Sequence, residues 1–259
     1  IEVGTPDHPY HLVAPSWRSK ALDVKKGACL PVMLMSMADA KMVKDPGVPW
    51  RIIKRYDTFP TPWHMKRDWR ESVRQVGFSY VMLALPGYWG SSGQLSDSIV
   101  KGGAVDRALD RLKKVHHAAR LCLFGHSFGG SVLARLLEHR SDIACAVLSA
   151  APLARRRHLM KKLGKNWKQL GDPYGLLPSY DPIDHVGDVA AHPPDRLIVA
   201  WDPKDERVTP EAIEPYVAKL KDMGVSFMDL QYAGRGAQNH DAGMAPLMLV
   251  RKYCPVAAR

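Results

Sequence analysis

A serine stands between two glycines at residues 125–129, where the chain reads Gly-His-Ser-Phe-Gly. A short apolar run precedes this motif and an amphipathic run follows it at once, so we predict a strand, a sharp turn and a helix. Such a turn strains the backbone at Ser127 and exposes its hydroxyl, while Gly125 and Gly129 remove Cβ atoms that would clash. The amide of Phe128 is then at the positive end of a helix, where it is suited to stabilise an oxyanion. These residues predict a serine nucleophile for acyl transfer.

The segment resembles the nucleophile elbow of the α/β-hydrolases, and its Gly-His-Ser-Phe-Gly-Gly form is similar to that of prolyl oligopeptidase-like and related serine hydrolases. The resemblance implies an α/β-hydrolase fold with a mainly parallel central sheet flanked by helices. Apolar strand-like runs alternate with helical patterns along the chain, which also favours a parallel sheet with right-handed crossovers. We expect residues 1–259 to form one such domain, with a small helical cap inserted at about residues 152–190.

The resemblance also implies that the acid follows the nucleophile and that the histidine comes last. Asp205 follows a predicted strand at residues 196–201, and residues 205–208 match the family's Asp-x-x-Val signature. The family usually has glycine where this chain has Asp202, which leaves Asp202 as a rival acid. We expect Asp205 to be the triad acid, with Asp202 as the alternative.

His240 ends a loop that contains two glycines, between the last predicted strand at residues 226–231 and the last predicted helix at residues 242–253. In the resembling family, the catalytic base lies in this position. We therefore expect His240 to take the proton of Ser127 during attack. His126 is interpreted as support for the elbow, because neighbouring side chains on such a turn diverge.

A second oxyanion donor normally comes from a His-Gly pair after an early strand of this fold. Here the apolar run at residues 30–37 leads to Ala38, and the His-Gly pair is absent. The backbone amide of Ala38 is still a suitable donor, since an amide needs no particular side chain. The turn-rich loop at residues 86–93 follows another strand, and its Tyr88 and Trp89 are candidates to line the substrate pocket.

The remaining elements are predicted from hydrophobic periodicity and from turn residues. We expect further strands at residues 10–15, 80–85 and 143–149, helices at residues 68–76 and 105–118, and a helix that starts at residues 209–211. A long connection with proline and tryptophan residues spans residues 39–66. Its aromatic residues favour packing over the site.

The four cysteines show neither metal-ligand nor redox spacing. Cys122 and Cys145 stand inside apolar runs, where a thiol acts as a small hydrophobic group. Cys29 and Cys254 stand at the ends of elements and are candidates to pair with each other. No cluster of histidine and carboxylate residues has ligand spacing, so we expect neither a metal nor another cofactor.

The chain carries a formal net charge of +11, which favours contact with anionic substrates or surfaces. Seven basic residues and no acidic residue lie between Arg155 and Lys168, within the predicted cap. This run is either a solvated helix surface or a region that attracts an anionic substrate. No nucleic-acid motif accompanies the charge, so we do not expect nucleic-acid binding.

The 259 residues are enough for one large domain, and no apolar run reaches the ~20 residues that span a bilayer. The chain begins at Ile1, so a removed leader is compatible with a periplasmic or secreted protein, and a cytoplasmic one is equally open. The oligomeric state is also open.

These features predict a serine hydrolase that cleaves a carboxylic ester or a related acyl bond of a small molecule through an acyl-enzyme. One alternative is a peptidase of the prolyl oligopeptidase type, because a fold does not fix the substrate. A second alternative is a catalytically weak hydrolase-fold protein that serves in binding, which the absent His-Gly pair would favour.

Overall fold

The computed structural model describes residues 12, 14, 29–35, 62–88, 91–93, 95–164 and 180–256. Its centre is a six-stranded sheet in the order β2-β1-β3-β4-β5-β6, in which every neighbouring pair is parallel. The strands are β1 (Cys29–Met35), β2 (Val81–Ala84), β3 (Arg120–His126), β4 (Ile143–Ser149), β5 (Arg196–Trp201) and β6 (Met228–Gln231).

Helices connect these strands and cover both faces of the sheet. They are α1 (Pro62–Val76), α2 (Ala104–Val115), α3 (Phe128–Leu137), α4 (Arg155–Leu163), α5 (Val186–Ala191), α6 (Glu214–Asp222) and α7 (Ala245–Tyr253). Short 3-10 turns occupy Leu95–Ile99, Pro182–His185 and Pro210–Ala212. A parallel strand needs a crossover connection to reach its neighbour, which explains the alternation of strands and helices.

Two hydrophobic clusters lie on opposite faces of the sheet. One joins α2 and α3 to the sheet through residues such as Leu109 and Leu133, and the other joins α1 and α7 through Trp69 and Leu247. The middle strands are buried on both faces, so their sequences are continuously apolar, as in other covered parallel sheets. The predicted mainly parallel sheet flanked by helices is confirmed.

Several predicted boundaries differ from the observed ones. Helix α1 begins at Pro62, inside the predicted connection at residues 39–66, because proline suits the first turn of a helix, where no amide donor is needed. The helix predicted to start at residues 209–211 is a 3-10 turn, and α6 begins only at Glu214. The strand predicted at residues 10–15 lies outside the described residues, apart from Leu12 and Ala14, which are buried but not in a strand.

The candidate pair of Cys29 with Cys254 does not form. Cys29 is bonded to Cys122 and Cys145 to Cys254, so no described cysteine is free, and Cys122 and Cys145 are not isolated buried thiols. Because β1 lies beside β3, the neighbour of Cys29 in the sheet is Arg120, two residues before Cys122. The second disulfide attaches the end of α7 to β4, and its Cα atoms are 5.6 Å apart.

The segment predicted as a cap joins β4 to β5 and includes α4 and α5, while its residues 165–179 lie outside the described ones. The Asp181 carboxylate accepts hydrogen bonds from the first two amides of α4, those of Arg155 at 2.9 Å and Arg156 at 3.0 Å. This contact satisfies donors that a helix leaves open at its N-terminus. That this segment covers the site remains a prediction. None of the described helices has the length and apolar character of a membrane span.

Candidate active site

The carboxyl ends of the parallel strands bring the predicted site residues to one edge of the sheet. Ser127 follows β3 directly, Asp205 lies in the loop after β5, and His240 lies between β6 and α7. Loops at this edge of an open parallel sheet are the usual binding region of such folds. The topology therefore collects at one edge three residues that are far apart in the chain.

Ser127 occupies a strained turn between β3 and α3. Its φ is 56° and its ψ is −126°, a combination that residues with a side chain rarely adopt. The surrounding structure holds this conformation, because the Ser127 amide donates a 2.8 Å hydrogen bond to the carbonyl of Ser149 in the adjacent strand. The backbone has the geometry predicted for the elbow.

The two glycines of the motif permit close approaches of the backbone. A Cβ atom on Gly125 would meet the carbonyl of Gly129 at a distance that no real Cβ tolerates, and a Cβ on Gly129 would meet the carbonyl of Leu34. Both obstacles are backbone atoms that cannot move aside. Glycine is therefore required at both positions, for the steric reason that the sequence indicated.

Asp205 and His240 form a buried hydrogen-bonded pair. The Nδ1 atom of His240 lies 2.7 Å from Oδ2 of Asp205, and both residues are buried. The other carboxylate oxygen of Asp205 accepts the amides of Arg207 at 2.8 Å and Val208 at 2.9 Å. The loop thus fixes the carboxylate through one oxygen and leaves the second for the imidazole.

Asp202, the rival acid, has different partners. Its Oδ1 accepts the amide of Lys204 at 2.8 Å, and its Oδ2 accepts the amide of Gly234 at 2.6 Å. Gly234 is in the loop that leads to His240, so Asp202 joins the loops after β5 and β6. The structure brings His240 to Asp205, while Asp202 is occupied by the main chain.

The predicted oxyanion and pocket residues are only partly described. Phe128 is the first residue of α3, so its amide belongs to the helix N-terminus as expected. Ala38 and Trp89 lie outside the described residues. Tyr88 is partly buried and packs against both hydrophobic clusters of the sheet. Those contacts make it a packing residue, and a role in the pocket remains a prediction.

A series of hydrogen-bonded polar side chains that the sequence did not predict lies beside the Asp205–His240 pair. The rings of His126 and His240 are in contact, with centroids 4.8 Å apart. Nδ1 of His126 lies 3.2 Å from the hydroxyl of Ser149, which lies 3.3 Å from that of Tyr232. A polar residue at the end of the apolar run at residues 143–149 was the available signal, since that strand borders the elbow strand.

Burial is the main influence on the protonation of His126 and Tyr232. Burial and the adjacent His240 imidazole lower the pKa of His126 to about 4, although the Asp205 carboxylate opposes the shift. Burial raises the pKa of Tyr232 to about 12. At neutral pH the second imidazole is therefore uncharged and the phenol keeps its proton.

Two groups among the described residues have ligand atoms close enough to share a metal ion. One consists of Cys122, Cys145 and Cys254, all of which are in disulfides. The other consists of Glu138, His185 and Asp188. Its Glu138 carboxylate already binds the guanidinium of Arg135 and accepts the Tyr180 hydroxyl at 2.7 Å. Neither group contains a predicted catalytic residue.

A family model described as the prolyl oligopeptidase family matches residues 103–245, which is more than half of the chain. The match includes the elbow, both candidate acids and His240. No curated protein matches the chain in sequence.

Solved structures of similar fold include esterases and peptidases. The esterase Pf2001 of Pyrococcus furiosus aligns with a TM-score of 0.56 at 14% identity, over 98% of this chain and 84% of that one. A puromycin-hydrolyzing peptidase of Mycobacterium tuberculosis aligns with a TM-score of 0.57 at 14% identity, over 96% of this chain and 37% of that one. The acylaminoacyl peptidase of Pyrococcus horikoshii aligns with a TM-score of 0.54 at 13% identity, over 93% and 37%. At these identities the likeness establishes the fold alone.

Proposed function

Because the chain belongs to the prolyl oligopeptidase family of serine hydrolases, we propose that it hydrolyses carboxylic esters of small molecules through an acyl-enzyme. The observation that carries the proposal is the buried 2.7 Å contact between His240 Nδ1 and Asp205 Oδ2, at the sheet edge where the strained Ser127 turn ends β3. A serine hydroxyl becomes a useful nucleophile only when an oriented base takes its proton.

The mechanism assigns one role to each residue. Ser127 attacks the carbonyl carbon while Nε2 of His240 takes the hydroxyl proton, and Asp205 stabilises the resulting imidazolium through Nδ1. The amides of Phe128 and Ala38 donate to the oxyanion. His240 then protonates the leaving alkoxide, and water, activated by the same base, releases the acid from Ser127.

The choice of an ester over a peptide bond has one support among the comparisons. The Pyrococcus furiosus esterase aligns over most of both chains, whereas this chain spans 37% of the Mycobacterium tuberculosis peptidase. The peptidase function is the second candidate, and the family match favours it.

Two measurements test the proposal. A fluorophosphonate should add covalently to Ser127, as located by mass spectrometry of the digested adduct, and the Ser127→Ala variant should remain unlabelled. Esters and anilides that share one acyl group should then be compared by kcat/KM. We expect turnover of short-chain esters to exceed that of the matched aminoacyl anilides.

Each of the two measurements has an outcome that would contradict the proposal. An adduct on another residue, or no adduct on the folded protein, would exclude Ser127 as nucleophile and favour a binding protein with a hydrolase fold. Faster cleavage of the anilides would make the protein a peptidase.

A further inference from the structure

We propose that His126, Ser149 and Tyr232 form a hydrogen-bonded brace that positions His240, so that His126 is a positioning residue of the catalytic centre. The proposal rests on the proposed function, since it concerns the base of the same reaction. No group of the brace belongs to the predicted triad.

The contacts of the brace connect the nucleophile strand, the next strand and the histidine loop. Ser149 ends β4, and its carbonyl accepts the Ser127 amide at 2.8 Å while its hydroxyl faces His126 Nδ1 at 3.2 Å. The His126 ring also hydrogen-bonds the main chain of His240. Tyr232 follows β6 and reaches back to the Ser149 hydroxyl at 3.3 Å. The His126 side chain therefore connects the elbow to His240, the proposed base for Ser127.

The proton inventory fixes the direction of these bonds. The main-chain acceptor of His240 is its carbonyl, so the His126 ring must donate to it. With Nδ1 facing Ser149, the donating atom is Nε2, and in a neutral ring Nδ1 is then an acceptor. The Ser149 hydroxyl donates to Nδ1 and accepts from Tyr232. Each of the three side chains thus uses its one proton in one bond.

The brace adds a second point of attachment for the base. Asp205 holds the His240 ring through Nδ1, at 2.7 Å, but a ring held at one atom still depends on where its main chain lies. The bond from His126 fixes that main chain relative to Ser127. A neutral neighbour is also required here, because the His240 ring becomes positive during attack and lies with its centroid 4.8 Å from that of His126.

Substitutions that remove individual bonds test the brace. His126→Phe keeps a ring but loses both bonds, and we expect kcat on an ester to fall by about 10–100-fold with KM nearly unchanged, as for a misplaced catalytic group. His126→Gln retains a donor at the position of Nε2 and should recover most of kcat. Tyr232→Phe should cause a smaller fall, and the double variant His126→Phe/Tyr232→Phe should be no slower than His126→Phe alone.

A matched control variant and an NMR measurement that does not depend on enzymatic activity distinguish this proposal from the proposed function. His192 is exposed on the surface, so His192→Phe should leave kcat unchanged. Long-range proton–nitrogen NMR on histidine-labelled protein should show His126 neutral, with its proton on Nε2, at neutral pH. This spectrum is decisive even if Ser127 fails to react with a fluorophosphonate, a result that would contradict the proposed function alone.

The brace is overturned by any of three results. The first is a wild-type kcat for His126→Phe, and the second is a multiplicative loss in the double variant. The third is an NMR spectrum that shows His126 as an imidazolium or with its proton on Nδ1. If His126→Phe does not fold, two tests remain. Tyr232→Phe, which removes one bond of the brace, should still lower kcat, and a wild-type kcat for it would contradict the brace. The NMR spectrum needs no substitution.

Discussion

Two buried carboxylates in one loop, Asp202 and Asp205, make different hydrogen bonds and should respond differently to the loss of charge. Asp205→Asn disturbs the orientation of His240 and should lower kcat by about 10⁴-fold, with little change in the unfolding midpoint. Asp202→Asn weakens two bonds to main-chain amides and should cost about 1–3 kcal/mol of stability, with a much smaller effect on kcat. Steady-state kinetics and urea unfolding of both variants distinguish the two roles. A crippled Asp202→Asn beside a mild Asp205→Asn would reverse the assignment.

At the level of residues, the sequence predicted types and order better than contacts. The motif located Ser127 because only a strand, a turn and a helix in succession produce the elbow. In the structure Ser127 has the positive φ that such a turn requires. The choice between Asp202 and Asp205 depends on which carboxylate oxygen faces the imidazole, and a spacing of three residues in a loop does not determine that. The contact of His126 with His240 was missed, since it joins two loops from different strands.

The elements of the fold are attached to one another by buried charges as well as by apolar packing. The Asp106 carboxylate in α2 contacts two residues that follow α3. It binds Nε2 of His139 at 3.0 Å and Nη1 of Arg140 at 3.1 Å. Burial alone would raise the pKa of Asp106, but the hydrogen bonds from His139 and Arg140 outweigh it, and the pKa is lowered. The carboxylate thus stabilises the fold above its unfolded pKa of about 4, and this stability is lost as the pH falls through the lower, folded value.

We therefore expect Asp106→Asn to reduce the free energy of unfolding at neutral pH by about 1–3 kcal/mol and to weaken its decline at acid pH. Asp110→Asn is the matched control, because Asp110 binds the same Arg140 but is 63% exposed. Its effect should be about 0–1 kcal/mol. Urea unfolding of the three proteins between neutral pH and pH 3 measures both terms. Equal losses in the two variants would show that burial of Asp106 is not important.

The two disulfides close separate loops, with sequence separations of 93 and 109 residues. Each limits the unfolded chain, so loss of either should lower stability by roughly 2–5 kcal/mol. The double variants Cys29→Ser/Cys122→Ser and Cys145→Ser/Cys254→Ser should each be less stable than the wild type in urea, and dithiothreitol should lower each further. If the unfolded, unreduced wild-type protein reacts with four equivalents of iodoacetamide, the disulfides are absent.

The disulfides show that the hydrophobic periodicity of the sequence predicts the strands but not which strands are neighbours. Apolar runs predicted the middle strands closely, and both β4 and β5 have the predicted bounds. The order of strands in the sheet is not contained in those runs. Only that order places β1 beside β3, so that Cys29 can bond to Cys122.

The whole molecule carries a net charge of +11, which favours attraction of anionic substrates. Part of the basic run in α4 is, however, paired with acidic residues in the structure. Arg156 binds Asp184 at 2.5 Å, and Lys161 binds Glu211 at 3.0 Å. Arg157 is exposed and lies in the segment predicted to cover the site. The field available to attract an anion is therefore smaller than the count of seven basic residues indicates, and Arg157 is its best described contributor.

We expect the chain to prefer an ester with a distal carboxylate over its neutral isostere at low salt, and to lose that preference at high salt. Charges attract over long range but are screened within ~8–10 Å at ordinary ionic strength, so the effect belongs to kcat/KM and leaves kcat nearly unchanged. Arg157→Glu should reduce the low-salt preference several-fold. Lys114→Glu is the control, because the exposed Lys114 in the last turn of α2 lies near the start of β3, at the edge of the sheet opposite Ser127. A ratio between the two esters that is the same at every salt concentration, in the wild type and in Arg157→Glu, would mean that the basic run is only a solvated surface.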